Sequence, residues 1–155
     1  FEVTETAAIH NLADTAEFLQ TIRDLGCLIA LDDFGTGFSS LEYIKQLPLD
    51  YIKIDGAFIR DIANNQLDQA LVRCVADVAR HLNVKTVAEF VDDAETLRIL
   101  HQLSIGLAQG YFIAKPAPLP ALTELIELAP QAAPDGASAN EASAEQAGPA
   151  ADIAQ

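Results

Sequence analysis

Short apolar stretches alternate with stretches of amphipathic helical spacing along most of the chain. The apolar stretches predict five strands, at Phe1–Thr6, Cys27–Phe34, Tyr51–Asp55, Lys85–Val91 and Gly106–Ala114. Apolar residues three and four positions apart predict the helices between them, at Asp14–Leu25, from Ser39 or Ser40 to Pro48, at Leu67–Leu82, at Asp93–Leu103, and from Pro118 or Pro120 to about Leu128. Strands that are apolar almost throughout and are joined by helices are typical of a parallel sheet covered by helices.

Two architectures fit such a sheet, an open doubly wound sheet and a (β/α)8 barrel. No G-x-G-x-x-G sequence follows the first strand, which weakens the dinucleotide-binding alternative. Polar residues fall at or near the carboxyl ends of the strands, where barrel enzymes carry their chemistry, so we expect an α/β fold of the TIM-type (β/α)8 barrel class. A complete barrel takes about 250 residues, and five βα units cannot close one. We expect the isolated chain to expose strand edges and fold poorly.

The last part of the chain differs in composition from the rest. Residues 130–155 contain ten Ala and four acidic residues, no Lys or Arg, and Ile153 as the only large aliphatic residue. Such a segment cannot bury enough apolar surface to offset the entropy lost on ordering. We therefore expect a folded part at 1–129 and an Ala-rich, acidic, disordered tail at 130–155.

The chain is strongly acidic, with a net charge of −14 from 23 acidic and 9 basic residues. An acidic surface repels polyanions, so a nucleic-acid polymer is not an expected partner. A small anionic nucleotide fits if metal ions lie between it and the carboxylates. No apolar run reaches membrane-spanning length, and the expected location is the cytoplasm. Cys27 and Cys74 stand in apolar surroundings, which predicts buried, reduced thiols.

Charged and amide side chains gather at the ends of the predicted strands. They are Glu2 and Glu5 on the first strand, Asp32 and Asp33 on the second, Lys53 and Asp55 on the third, Glu89 on the fourth and Gln109 on the fifth. Side chains alternate faces along a strand, so Lys53 and Asp55 are predicted to share the face opposite Ile52 and Ile54. If the two isoleucines pack against helices, Lys53 and Asp55 point into the barrel.

Two interpretations of these polar side chains stay open. They could neutralise one another as an ion-pair network, which is the better interpretation for any one pair. Their occurrence together at one end of successive strands favours a site for two divalent cations with oxygen ligands, Mg²⁺ or Mn²⁺. Gly35 and Gly37 permit the positive φ angles of a tight loop, so the adjacent carboxylates of Asp32 and Asp33 can both reach one site.

Five motifs, in the same order along the chain, resemble those of a known family. They read Glu2-Val3-Thr4-Glu5-Thr6, Asp32-Asp33-Phe34-Gly35-Thr36-Gly37-Phe38-Ser39-Ser40-Leu41, Leu47-Pro48-Leu49-Asp50-Tyr51-Ile52-Lys53-Ile54-Asp55, Val87-Ala88-Glu89 and Ala108-Gln109-Gly110-Tyr111-Phe112. From Phe1 to about Leu128, the chain is similar to the C-terminal half of the EAL domain. The resemblance implies a TIM-type barrel that hydrolyses cyclic di-GMP to linear pGpG with two Mg²⁺ or Mn²⁺ ions, in bacterial second-messenger signalling.

The resemblance also implies roles for individual residues. By position, Glu2, Asp32, Asp33 and Glu89 resemble metal ligands, with Asp32 bridging the two ions. Lys53 resembles the residue that contacts the nucleophilic water, Asp55 its supporting partner, and Gln109, with Glu89, a group that orients metal-bound water. Glu5 resembles a glutamate that holds the Asp33–Ser40 loop, which the family links to homodimer formation. The family's Glu-Ala-Leu signature and a metal-binding Asn belong to the half outside this chain, so we expect the chain alone to be inactive.

One segment departs from the family pattern. Where the family usually reads Gly-Val-Glu after its counterpart of Glu89, this chain reads Phe90-Val91-Asp92. Phe90 would stack on a guanine or block its pocket, and Asp92 is one methylene shorter than glutamate, so both are predicted substrate contacts. Two functions follow: a cyclic-di-GMP phosphodiesterase in the intact parent protein, or a degenerate EAL module that binds cyclic di-GMP or a protein without hydrolysis. Upstream sensory or GGDEF-type domains, and a membrane anchor N-terminal to Phe1, are compatible with both.

Overall fold

The computed structural model describes residues 1–35 and 42–119. Three predictions lie outside these residues: the capping role of Ser39 or Ser40, the course of the last helix beyond Leu119, and the disordered tail with its boundary at 129. Most of the Asp33–Ser40 loop lies outside them as well. The chain divides into two compact units, Phe1–Pro116 and Ala117–Gln155, and every element below belongs to the first.

Five strands alternate with helices through this unit. The strands are β1 (Glu2–Thr4), β2 (Ala30–Phe34), β3 (Tyr51–Ile54), β4 (Lys85–Ala88) and β5 (Leu107–Ala108). The α-helices are α1 (Glu5–His10), α2 (Leu12–Asp24), α3 (Gly56–Ile59), α4 (Gln66–His81) and α5 (Ala94–Gln102), and a 3-10 helix spans Tyr43–Gln46. The predicted order of strands and helices is therefore present.

The five strands form one sheet in the order β1-β2-β3-β4-β5, and every neighbouring pair is parallel. Thr4 pairs with Asp32, and Ile54 pairs with Ala88, so the carboxyl ends of successive strands lie side by side. This arrangement confirms the predicted parallel α/β sheet. It also brings the segments that follow the strands to one edge of the sheet.

Several strands are shorter than the hydrophobic pattern predicts. The first ends at Thr4, because the Thr4 hydroxyl accepts a hydrogen bond from Ala7 N at 3.4 Å and begins α1. Glu5 is thus a helix residue and not part of the predicted strand. The third strand ends at Ile54, because the Asp55 carboxylate caps α3 by accepting from Ala57 N at 2.7 Å. Local capping overrides the apolar pattern at both places.

The core lies between the sheet and its helices in two clusters. One contains Ile52 of β3 with Leu19 of α2, and the other contains Ile54 of β3 with Val72 of α4. Both isoleucines are almost fully buried. They pack toward the helices, as predicted, and this leaves the opposite face of β3 to Lys53.

The prediction of buried thiols is wrong, because Cys27 and Cys74 are both exposed. Cys27 is predicted to begin the second strand, but β2 begins only at Ala30 and leaves Cys27 ahead of it. Cys74 lies on the solvent side of α4, whereas its apolar neighbours Val72 and Ala76 are buried on another face of the same helix. Among residues 1–35 and 42–119, no helix has both the length and the apolar character that a bilayer crossing requires.

Candidate active site

Lys53 is the centre of a charged cluster at the carboxyl edge of the sheet. Its Nζ lies 2.8 Å from Asp32 Oδ1, 2.9 Å from Glu89 Oε1 and 3.1 Å from Glu2 Oε2. These partners come from β1, from β2 and from the residue after β4, and Lys53 is only 7% exposed. Four segments that are distant in sequence therefore contribute to one site.

The carboxylates keep Lys53 charged in spite of its burial. Burial alone would lower the pKa of the Lys53 ammonium, because a charged group loses solvation. Asp32, then Glu89, then Glu2 favour the charged form, and together they raise its pKa above the usual value. Lys53 is thus a fixed cation and hydrogen-bond donor near neutral pH, and it cannot act as a general base there.

Three carboxylates converge closely enough to hold a metal ion. One oxygen each from Asp32, Asp33 and Glu89 lies within 4.8 Å of the other two. Asp32 Oδ1 is buried, and the Lys53 ammonium nitrogen lies 2.8 Å from it. Clustered carboxylate oxygens fit a hard divalent cation such as Mg²⁺ or Mn²⁺. The donor set therefore fits the metal chemistry expected from the sequence.

The end of β2 explains how two adjacent aspartates reach one site. The pairing of β2 with β3 shifts between Leu31 and Phe34, and Asp33 adopts a left-handed backbone with φ of 55°. Gly35 follows with φ of 102°, a region that favours glycine. The break in regular alternation lets both carboxylates face the same side, as the sequence suggested.

The turn after β4 positions Glu89. Glu89 N donates to Ile54 O at 3.2 Å, which ties this residue to the end of β3, and the side chain is nearly buried. Phe90, the next residue, has φ of 54°. The chain therefore turns sharply directly after the carboxylate that faces Lys53.

A cavity of about 260 Å³ opens beside Glu89. Its lining residues are Glu89, Phe90, Asp92, Gln109, Gly110 and Tyr111. The predicted polar residue of the last strand, Gln109, reaches this cavity from the end of β5, where its N donates to Ala88 O at 2.8 Å. The cavity thus places Glu89 beside Gln109 and the predicted substrate contacts Phe90 and Asp92.

Two residues predicted for the site, Glu2 and Asp55, lie outside the group formed by Asp32, Asp33 and Glu89. Glu2 reaches Lys53, but its side chain is 56% exposed and it is outside the group of three. Asp55 uses its carboxylate to cap α3, where it accepts from Ala57 N at 2.7 Å, and its orientation into the barrel stays a prediction. Both residues nevertheless lie at the same edge of the sheet.

Glu5 belongs to a buried hydrogen-bond group next to the site. It is 2% exposed and accepts from Gly35 N and from the Tyr43 hydroxyl, each at 2.9 Å. Burial first, and then the Glu5 carboxylate, raise the pKa of the Tyr43 phenol well above its usual value. Glu5 therefore fixes the first residue after β2, next to the Asp32-Asp33 pair.

Sequence reasoning did not identify Tyr43. The only signal was an aromatic residue with a polar tip in the short helical segment before Pro48. Its partner lies far away in sequence, on α1, and no periodicity connects the two residues.

The fold and this site define a class of protein. The chain belongs to the EAL domain family, whose model matches residues 1–116.

Relatives and solved structures agree with that membership. The chain is 46% identical over 127 residues to the cyclic di-GMP phosphodiesterase PdeB of Shewanella oneidensis, a match that covers 82% of the chain and 15% of the relative. It resembles the PaMucR phosphodiesterase in complex with c-di-GMP, with a TM-score of 0.74 and 37% identity over 78% of this chain and 49% of that one. It also resembles the manganese/cy-diGMP complex of BlrP1 from Klebsiella pneumoniae, with a TM-score of 0.67 and 35% identity over 71% of this chain and 28% of that one.

These likenesses confirm the predicted TIM-barrel-like fold of the EAL family. The chain spans only about 15% of the length of PdeB, and about half of the solved PaMucR chain.

Proposed function

We propose that this chain supplies part of the active site of a metal-dependent phosphodiesterase that hydrolyses cyclic di-GMP to linear pGpG. The observation that carries the proposal is the Lys53 ammonium held between Asp32 and Glu89, with the Asp33 carboxylate beside them. A cation and a cluster of anionic ligands at one site suit an anionic phosphodiester and the metal ions that bind it. The names of the EAL relatives support the same substrate and reaction.

The residues that would hold two divalent ions are Asp32, Asp33, Glu89 and Glu2. When bound, Mg²⁺ or Mn²⁺ would lower the pKa of a coordinated water and neutralise the phosphate oxygens. In the bridging role that the resemblance implies, Asp32 would hold an ion together with Asp33 and Glu89, because one oxygen of each lies within 4.8 Å of the other two. Glu2 fits a more peripheral position, because its side chain is more than half exposed.

The remaining residues of the site would orient water and substrate and stabilise charge on the phosphate. Lys53 remains protonated, so it would donate a hydrogen bond to the attacking oxygen and stabilise negative charge that develops on the phosphate. Gln109 would orient water or substrate from the far wall of the cavity, and Asp92 and Phe90 would contact the nucleotide there. Asp55 would support Lys53 indirectly, by fixing the start of α3 directly after β3.

A second candidate function rests on the cavity wall. Phe90 and Asp92 stand where the family usually has glycine and glutamate, and both line the cavity beside Glu89. A bulky ring and a shortened carboxylate would suit a module that binds cyclic di-GMP, or a protein partner, without hydrolysis. The cluster of Asp32, Asp33 and Glu89 favours the enzyme, because a module that only binds has no need of three carboxylates within reach of one metal ion.

The deciding experiment incubates the full-length protein that carries this chain with cyclic di-GMP and Mg²⁺ or Mn²⁺, and measures pGpG by chromatography. Formation of pGpG that stops when EDTA is added supports the enzyme. Tight binding of cyclic di-GMP without product would establish the binding module instead.

Location and assembly complete the proposal. We propose a cytoplasmic domain, with which upstream sensory or GGDEF-type domains and a membrane anchor in the parent protein are compatible. We also propose homodimer formation through the Asp33–Ser40 region, at whose start the Glu5 carboxylate accepts from Gly35 N. Sedimentation of the parent protein and of Glu5→Ala tests it, because loss of the Glu5 contact should weaken a dimer.

A further inference from the structure

Phe90 combines a left-handed backbone with a ring that contacts α3, and the residue is 45% exposed. Its φ of 54° lies in the left-handed region, which a bulky residue without a special reason avoids. Such conformations persist only where surrounding contacts enforce them, and they cluster at functional sites. The contacts of the Phe90 ring therefore indicate what enforces this turn.

The ring packs on α3. A methyl group placed on Gly56 would lie 2.7 Å from Phe90 Cγ and 3.1 Å from Phe90 Cβ, so the ring occupies the space that only glycine leaves open. The Arg60 guanidinium lies 4.1 Å from the ring centroid, at the other end of the same short helix. Phe90 thus joins the turn after β4 to the helix that follows β3.

These two segments carry the opposing charges of the site. Lys53 is in β3, which leads directly into α3, and Glu89 immediately precedes Phe90. The Glu89 carboxylate lies 2.9 Å from Lys53 Nζ and belongs to the three-carboxylate group with Asp32 and Asp33. A turn that moved away from α3 would carry Glu89 away from both.

We propose that Phe90 is a positioning residue, which clamps the β4 turn onto Gly56 and Arg60 and thereby holds Glu89 at the metal-binding carboxylates. This inference rests on the proposed function only in so far as the site binds a divalent metal. This role is separate from the proposed nucleotide contact, because Arg60 covers one face of the ring and the nucleotide would use the other.

The first test is Phe90→Gly in the full-length protein. Glycine adopts the left-handed backbone without strain and removes the ring, so the turn stays accessible but loses its clamp. We expect Mn²⁺ affinity, measured by calorimetry, and kcat each to fall by about tenfold or more, the usual effect of removing a residue that orients a metal ligand, with a smaller change in KM. Unchanged Mn²⁺ affinity with a raised KM would overturn the proposal in favour of a direct substrate contact.

Gly56→Ala provides an independent route to the same clamp. In a protein that keeps Phe90, the added methyl group should push the ring off α3 and weaken Mn²⁺ binding. In the Phe90→Gly background it should have no further effect, because no ring remains to be displaced. Independent, additive effects of the two substitutions would contradict the proposal.

Ser104→Gly is the matched control. Ser104 also has a left-handed backbone, with φ of 62°, but it precedes β5 and so lies toward the opposite edge of the sheet. This substitution should leave Mn²⁺ affinity unchanged, and an equal loss would show that glycine acts only by loosening the backbone. Should Phe90→Gly fail to fold, as judged by circular dichroism, Phe90→Asn serves instead, because asparagine tolerates the left-handed region and has no ring.

The metal measurements separate this inference from the proposed function. A parent protein that binds Mn²⁺ but forms no pGpG would contradict the phosphodiesterase while leaving the Phe90 test intact. A parent protein that binds no Mn²⁺ would overturn both.

Discussion

Lys53 Nζ lies 2.8 Å from Asp32 Oδ1, an oxygen of a carboxylate that would also hold a divalent metal ion. The ammonium and such an ion would both neutralise the same cluster of acids. Removal of one should therefore change how strongly the protein depends on the other.

Asp32→Asn should abolish pGpG formation while leaving the fold intact. The amide keeps the shape of the side chain but removes the anionic charge of the proposed bridging ligand. The melting temperature, followed by circular dichroism, should stay close to that of the unsubstituted protein, and Mn²⁺ affinity should fall. The control is Asp24→Asn, an exposed carboxylate near the end of α2. Retained turnover in Asp32→Asn would remove Asp32 from the proposed ligands.

Lys53→Met should destabilise the metal-free protein by about 3 kcal/mol, because the carboxylates of Asp32 and Glu89 lose the ammonium that neutralises them. Added Mn²⁺ should then raise Tm more in the variant than in the parent, since the metal would restore the missing positive charge. Turnover should stay low even with metal, because no donor faces the attacking oxygen. Lys45→Met is the control, since Lys45 is exposed. Equal Mn²⁺ shifts in parent and variant would argue against a shared role.

Gly110→Ala should displace the cavity wall that carries Gln109. A methyl group at Gly110 would lie 2.6 Å from the Val91 carbonyl carbon, and backbone atoms cannot move aside as a flexible side chain can. We expect a loss of about 2 kcal/mol in the free energy of unfolding, typical of overpacking, measured by urea denaturation. Gly106→Ala is a closely matched control, because its methyl group would meet only Thr86 O at 3.8 Å. Similar effects of the two substitutions would contradict this explanation.

Tyr43 should make stability fall at high pH. Its pKa is raised in the folded protein, by burial first and by Glu5 second, whereas a tyrosine in the unfolded chain ionises near about pH 10. Above that pH the folded state keeps a proton that the unfolded state loses. The contribution of Tyr43 is therefore fully present below about pH 10 and is lost at up to about 1.4 kcal/mol per pH unit as the pH rises toward the folded pKa.

Urea denaturation between pH 9 and 11 measures this effect. Tyr43→Phe cannot ionise, so its free energy of unfolding should fall less steeply with pH than that of the parent. Parallel pH dependences in the two proteins would show that Tyr43 ionises as easily in the folded state as in the unfolded chain, and would contradict the prediction.

Part of the site could be read directly from the residues. Asp32, Asp33, Lys53 and Glu89 follow or end predicted strands, and the carboxyl ends of parallel strands meet at one edge of a sheet. The structure places these four together within the distances of ion pairs and metal ligands.

Other features depended on contacts that no local pattern encodes. Tyr43 is the hydrogen-bond partner of Glu5, and the Phe90 ring lies against Gly56. Each of these outcomes is decided by which segment lies next to which after folding.

The sequence by itself determined the parallel α/β class, the order of its elements and the acidic character of the site, because apolar spacing and strand-end residues are local properties. The tertiary structure decided which thiols are exposed and which carboxylates contact Lys53. The contacts of Lys53 depend on the register between β2 and β3 and on the sharp turns at Asp33 and Phe90, where packing against distant residues outweighs local preference.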